Sequence, residues 1–301
     1  MNRRDCLNQL KALGILSLDP HASDMKEMIV KREIPGTGEK LPVVGLGTWQ
    51  TFDVALSNNE SDRLKEVLKI LIEQGGTVVD SSPMYGRSEE VVGKLSTELK
   101  LNDELFIATK VWTNGKENGI RQMNESLRLL GRKKIELMQV HNLTDWQTHI
   151  KTLREWKDAG KLKYIGLTHY ADSAHDRLAS IIRNEKVDFI QINYNMLDRN
   201  AERTLLPVAQ ERGVAVLINQ PFQSGFLFEK VGRKQLPPWA SEFDCKSWGQ
   251  FFLKYILSDP AVTCVIPGTD KPHHILDNMG AGFGRFPNKK QRQEMVKVIS
   301  D

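Results

Sequence analysis

Asp80, Tyr85, Lys110 and His141 are a carboxylate, a phenol, an ammonium and an imidazole, and each stands at or just beyond the end of a short apolar run. The runs are Thr77–Asp80, Leu105–Lys110 and Ile135–His141. Read as buried parallel strands, they bring the four groups to one rim, at the C-terminal ends of the strands. Such a set suits proton delivery to an oxygen that is becoming an alkoxide, as when hydride is added to a carbonyl. A free phenol titrates near pH ~10, so a neighbouring ammonium is expected to lower its pKa and make it a readier donor. Lys110 supplies that charge, and Asp80 keeps the lysine ionised against the cost of burial. Taken singly, each residue has an ordinary role: Asp80 as a turn cap before Ser81-Ser82-Pro83, Tyr85 as a loop aromatic, Lys110 as half of a structural ion pair, His141 as a core histidine. Their coincidence at one rim is what argues for chemistry.

The elements that must hold them are legible as an alternation of short apolar runs with longer amphipathic segments, repeating roughly every 25 to 30 residues in the manner of βα units. The strands end near Gly47, Asp80, Lys110, His141, Thr168, Asn193, Asn219 and Pro267. Between them the periodicity predicts helices over Asp62 to Gln74, Ser88 to Leu99, Asn118 to Leu130, Trp146 to Ala159 and Ala174 to Asn184. Gly75-Gly76, Gly131, Gly160 and Gly213 stand where a left-handed helix cap belongs. Eight such units predict an α/β fold, a single-domain (β/α)8 TIM barrel over residues 29–301, behind a leader-like extension at 1–28. An open dinucleotide-binding sheet would want GxGxxG after its first strand, and Gly45-Leu46-Gly47-Thr48-Trp49-Gln50 has two of the three glycines. In a barrel the same glycines suit a close backbone approach to a ligand.

Composition excludes several classes. The chain has 301 residues, 40% of them hydrophobic, and its net charge of +4 is spread through 27% charged residues without a long basic tract, so no nucleic-acid partner is implied. Lys289-Lys290-Gln291-Arg292 reads as the polar face of a last helix. Cys6, Cys245 and Cys264 lack CxxC spacing, which implies neither a disulfide framework nor a metal site. Asn2-Arg3-Arg4-Asp5-Cys6-Leu7 opens an apolar stretch like a twin-arginine leader, yet Lys11 interrupts it and His21-Ala22-Ser23 is a poor cleavage site. A cytoplasmic location is therefore favoured over periplasmic export. No run is long enough to span a bilayer, so no integral membrane segment is expected.

A series of short motifs then comes in one order: Leu46-Gly47-Thr48-Trp49, Asp80-Ser81-Ser82-Pro83-Met84-Tyr85-Gly86 with Ser88-Glu89, Thr109-Lys110-Val111-Trp112, Gln139-Val140-His141, Ile165 to Tyr170, Phe189 to Tyr194, and Val265-Ile266-Pro267-Gly268-Thr269 with His274 and Asp277-Asn278. On these residues the chain, from about Leu41 to Asn278, resembles the aldo-keto reductase superfamily. The resemblance implies NAD(P)H-dependent reduction of aldehydes or ketones to alcohols, with Tyr85 as general acid, Lys110 and Asp80 as its ion-paired modulators, and His141 orienting the carbonyl. It also implies an extended dinucleotide lying across the barrel mouth without a Rossmann unit. The cofactor positions carried over are Gly47, Thr48, Trp49 and Asp80, then Thr168, His169 and Gln191 at the nicotinamide amide, then Asn219, Gln220, Pro221, Phe222 and Ser224, and last Gly268, Thr269, His274, Asp277 and Asn278.

The chain departs from the family pattern in two places. Asn219 stands where many relatives stack a tyrosine on the nicotinamide, and Gly268-Thr269 with His274 stand where NADPH-preferring relatives often have Lys-Ser and an arginine on the 2′-phosphate. NADPH is still favoured over NADH, at lower affinity than in relatives that keep both charges. Trp49, Tyr85, Trp112 and His141, with Phe222, would wall a pocket for a small carbonyl substrate, beneath a loop from Gly225 to Trp248 stiffened by Pro237-Pro238-Trp239. A monomer is expected. Two other functions fit part of the pattern: an NADPH-binding redox-sensing regulatory subunit with slow turnover, and a Schiff-base aldolase using Lys110 as nucleophile.

Overall fold

The computed structural model describes residues 28–300. The leader-like segment expected at the N-terminus, with Cys6 in it, therefore lies outside the described residues up to position 27. The first described elements form an antiparallel hairpin, β1 (Lys31–Glu33) and β2 (Lys40–Pro42), with Arg32 opposite Leu41. Eight parallel strands follow: β3 (Leu46–Gly47), β4 (Val78–Asp80), β5 (Phe106–Val111), β6 (Ile135–Val140), β7 (Leu162–His169), β8 (Phe189–Asn193), β9 (Ala215–Asn219) and β10 (Cys264–Val265). Each pairs with its neighbour in chain order, from β3 to β10. Parallel bridges from Val44 to Val265 and from Gly47 to Gly268 join the last strand to the first and close a (β/α)8 barrel.

The strands are buried on both faces, β5 at all six positions, because side chains fill the barrel on one side and helices cover the other. Val78, Phe106, Leu137, Phe189 and Ile266 pack in the interior, and Ile34 and Leu41 of the hairpin region join them as a plug. The outer layer comes from amphipathic helices. In α1 (Asn58–Glu73), Leu64, Val67, Leu68 and Leu71 fall on one buried face, each worth on the order of 2 kcal/mol for its burial. This helix starts four residues earlier than its periodicity suggests, because Ser57 and Glu60 form a reciprocal capping box. The helices that follow are α2 (Ser88–Glu98), α3 (Lys116–Leu129), α4 (Trp146–Asp158), α5 (His175–Asn184), α6 (Leu205–Arg212), α7 (Phe226–Val231), α8 (Trp248–Leu257), α9 (Pro272–Gly280) and α10 (Lys289–Ser300). Gly75, Gly131, Gly160 and Gly213 have φ of 81°, 64°, 73° and 63°, the left-handed caps the sequence signals.

Gly47 lines the cavity and also serves the barrel seam, where a Cβ on it would lie 2.7 Å from the carbonyl oxygen of Ile266. Two expectations are corrected here. Arg292 does not sit on a solvated face, since its guanidinium is only 16% exposed, bonds Glu202 at 2.6 Å and lies over the Tyr255 ring, stapling α10 to the barrel. The segment from Gly225 to Trp248 is not a plain loop, because it contains α7 and a 3-10 turn at Pro238–Phe243. Trp239, partly buried, packs onto Phe243 and Phe251 at the edge of the core and is not among the residues lining the mouth. No helix among the described residues is long and apolar enough to cross a membrane.

Candidate active site

The ends of β4, β5 and β6 place the four reactive side chains together. Lys110 is 1% exposed, and its Nζ donates to both Asp80 carboxylate oxygens at 2.9 and 2.8 Å and to the Ser81 carbonyl at 2.7 Å. Gln191 of β8 donates to Asp80 Oδ2 at 3.1 Å and accepts from Gln139 of β6 at 2.9 Å, so two further strands brace the ion pair of β4 and β5. Tyr85 lies on the turn after β4, where its N–H donates to the Ser82 carbonyl. The turn is pinned from outside by Asp53, which accepts from the Arg87 N–H at 2.9 Å. Lys110 Nζ lies 4.9 Å from the Tyr85 ring centroid, and the His141 ring meets Tyr85 edge-on at 5.8 Å. The four groups thus face one point.

Burial works against the Lys110 ammonium, yet Asp80 and Tyr85 hold its pKa above the ordinary lysine value. Burial likewise raises the Asp80 carboxyl, opposed by Lys110 and Gln191. A lysine so held is charged and has no lone pair to offer a carbonyl, which argues against the Schiff-base role. The phenol departs from expectation. Burial, the largest influence on Tyr85, outweighs the pull of Lys110, and its pKa is raised rather than lowered.

Burial, with Lys110 and His169, pushes the His141 imidazole down to about 3. Met84 donates its N–H to Ser82 Oγ at 3.2 Å, and Ser82 Oγ lies 3.1 Å from His141 Nδ1. That network suits a hydroxyl proton on Nδ1, leaving the imidazole proton on Nε2 as a neutral donor. One consequence concerns stability. The unfolded chain protonates His141 near its ordinary value of 6.5 whereas the folded chain waits until about 3, so folding free energy is lost as pH falls between those values, at about 1.4 kcal/mol per pH unit. Urea denaturation from pH 7 to pH 4 is expected to show His141→Gln losing distinctly less stability than the parent chain. Parallel losses would remove His141 as the source.

These residues open into a cavity of about 880 Å³ at the C-terminal mouth of the barrel. Of the positions carried over from the family resemblance, His169 and Trp112 are not among its lining residues; all the others are. Alternation along β7 turns Thr168 inward and His169 outward, where the His169 Nδ1 accepts the Ala171 N–H and its ring stacks on Tyr170 at 5.5 Å. Tyr170 takes the place on the wall. Trp112 is 43% exposed and meets His141 edge-on at 6.3 Å, outside the lining. Sequence reasoning missed Met84 and Asn142, which adjoin reactive residues, and Gly249, just past the Gly225–Trp248 segment expected over the pocket, whose Ser247 and Trp248 do line the cavity. Gln50, Asn142, Gln220 and Ser224 line the cavity with φ of 60°, 53°, 48° and 54°, backbone strain of the kind that gathers at ligand sites.

Comparison with known proteins gives one consistent result. A sequence profile described as the Aldo/keto reductase family matches residues 43–298. The chain is 28% identical over 213 residues to "Aldo-keto reductase YhdN" of Bacillus subtilis, an alignment covering 66% of this chain and 63% of that one, so it spans under two thirds of that relative's length. It is 28% identical to the "NADH-specific methylglyoxal reductase" of Escherichia coli, covering 79% and 89% of the two chains, and 23% identical to that organism's "L-glyceraldehyde 3-phosphate reductase", covering 88% and 91%. Among solved structures, an aldo-keto reductase from Bacillus halodurans superposes with a TM-score of 0.74 at 20% identity, over 90% of this chain and 96% of that one. An aldo/keto reductase from Klebsiella pneumoniae, solved with NADP and acetate, gives 0.73 at 21% identity, over 91% and 95%. At these identities the structural likeness shows the fold.

Proposed function

The chain belongs to the aldo/keto reductase family, and on that footing we propose that it reduces small uncharged aldehydes or ketones to alcohols at the expense of NAD(P)H, with Tyr85 as general acid. One observation carries the reading: a buried, doubly bonded Lys110–Asp80 pair beside the Tyr85 ring, with a neutral His141 across from it. The donor set suits a nicotinamide carboxamide. Thr168 and Gln191 offer a hydroxyl and an amide on the wall, and the buried Asn219 Oδ1 has no hydrogen-bond partner among the described residues, an acceptor suited to an amide N–H. Reduced nicotinamide, when bound, supplies the hydride.

The chain's own residues do the rest. The His141 Nε2–H donates to the substrate carbonyl oxygen and sets its orientation. As charge builds on that oxygen, the Tyr85 hydroxyl gives up its proton, and Lys110 stabilises the phenolate left behind. Lys110 thus acts on the transition state, so a raised resting pKa is no obstacle: the phenol is fully protonated at neutral pH, and an alkoxide is a far stronger base than a phenolate. NADPH is the favoured donor in this reading, and we take the protein to be a cytoplasmic monomer.

Among the described residues Lys110 is the only lysine or arginine in the cavity wall, and its bonds to Asp80 and Ser81 occupy it, so the described wall offers anionic substrates no free cation. Trp49, Met84 and Tyr170 instead present apolar surface, each more than two fifths exposed. The test is fluorescence titration with NADPH and NADH followed by a carbonyl panel. Neutral aldehydes, aromatic ones included, are expected to exceed a phosphorylated triose in kcat/KM by at least about tenfold, the order of one unmatched charge. Equal or greater use of the phosphorylated substrate would overturn this preference, and failure to bind either dinucleotide would overturn the oxidoreductase reading. Asn219 favours one alternative, a redox-sensing subunit in which the dinucleotide is held without aromatic stacking and turned over slowly; oxidation of a single equivalent of NADPH without sustained turnover would support it.

A further inference from the structure

The wall of the cavity away from Tyr85 is built by the turn after β10 and by α9. His274, Asp277 and Asn278 fall at i, i+3 and i+4 on α9 and line the cavity beside Thr269. Among the described residues none that lines this corner is a lysine or arginine; Lys271, exposed in the same turn, stands outside the lining. Asp277 is fixed there, accepting from Ser247 Oγ at 2.7 Å and from Gln250 Nε2 at 2.9 Å. Burial, with His273 and Lys271 nearby, lowers the His274 pKa, which keeps that imidazole largely neutral at pH 7.

One residue past Thr269 the balance changes. Asp270 pairs with Arg63 of α1, Nη2 to Oδ2 at 3.1 Å, with the two side chains 41% and 32% exposed. Thr269 Oγ1 accepts the Lys271 N–H at 3.1 Å and so fixes the turn that carries Asp270. A guanidinium held by one carboxylate at a half-exposed position keeps donors free, and a phosphate dianion is a stronger partner for that fork than a monoanionic carboxylate.

We infer that the Arg63–Asp270 pair sets the choice between dinucleotides: Arg63 is the cation that a 2′-phosphate at the Thr269–His274 corner engages, and Asp270 is the anion that competes with it. The inference rests on the nicotinamide-dependent reading above. It explains how a corner without lysine or arginine among its described lining residues still admits NADPH, and why its advantage over NADH is small. The 2′-hydroxyl of NADH carries no charge and is indifferent to the pair.

The test is the Kd of NADPH and of NADH, by fluorescence titration, for the parent chain, Asp270→Asn and Arg63→Gln. Asp270→Asn is expected to tighten NADPH about tenfold and Arg63→Gln to weaken it about tenfold, each the order of one charge-assisted hydrogen bond. NADH binding should move by less than about threefold in both, and it also reports that each variant is folded. An NADPH-to-NADH ratio unchanged in both variants would overturn the assignment while leaving the nicotinamide reading intact. A parent chain that binds neither dinucleotide would overturn both.

Discussion

Tyr85→Phe is expected to lower kcat for carbonyl reduction by about 10²–10⁴-fold, the range that a positioned general acid contributes, while the Kd for the dinucleotide stays within about twofold. The ring is retained, so its edge contact with His141 and its place over Lys110 persist, and only the transferable proton is lost. Because burial raises the Tyr85 pKa above 10.0, the parent enzyme should hold its reductive rate through the neutral range with no limb from this phenol. His141 adds none either, since it takes up a proton only near pH 3. A variant that keeps more than about a tenth of the activity would show that the proton comes from elsewhere, with bound water the first candidate.

How much of this was legible depended on what each residue had to do. Asp80, Lys110 and His141 end apolar runs, and a parallel barrel delivers such ends to one face, so polarity and spacing sufficed to bring them together. The strand ends match to within about two residues for the same reason: buried strands are short and their boundaries abrupt. His169 was carried over with its motif as a block, whereas alternation along β7 decides which residues line the cavity; Thr168 and Tyr170 do, and the residue between them does not. The Gly225–Trp248 segment was placed over the pocket as a whole, but which of its residues reach the cavity could not be read locally, since Ser247 and Trp248 do so through the packing of α8. The Tyr85 pKa was misjudged because sequence names the charge partner but not the depth of burial, and here burial is the larger influence. Arg292 looked like part of a charge run until Glu202 and Tyr255 appeared beneath it from distant positions.

Lys110→Met separates the structural from the chemical part of the ion pair. Removing the ammonium leaves the Asp80 carboxylate 2% exposed, with Gln191 as its remaining side-chain donor, and breaking a buried pair in this way costs about 3–5 kcal/mol. The cost must depend on pH. Without Lys110 the folded-state pKa of Asp80 moves further above the 3.8 of the unfolded chain, so the variant's deficit is largest at neutral pH and shrinks as acid protonates the carboxyl and makes its burial cheap. Denaturation of parent and variant at pH 7 and pH 4.5 measures this directly, and a deficit that does not shrink would mean that Asp80 is not the stranded charge. Adding Asp80→Asn to Lys110→Met should restore most of the lost stability, because two neutral groups replace a broken pair. It should restore none of the turnover, because the phenolate forming on Tyr85 still has no cation beside it. Recovery of kcat in the double variant would mean that the lysine serves the fold alone, and the proton-transfer role assigned to the pair would fall with it.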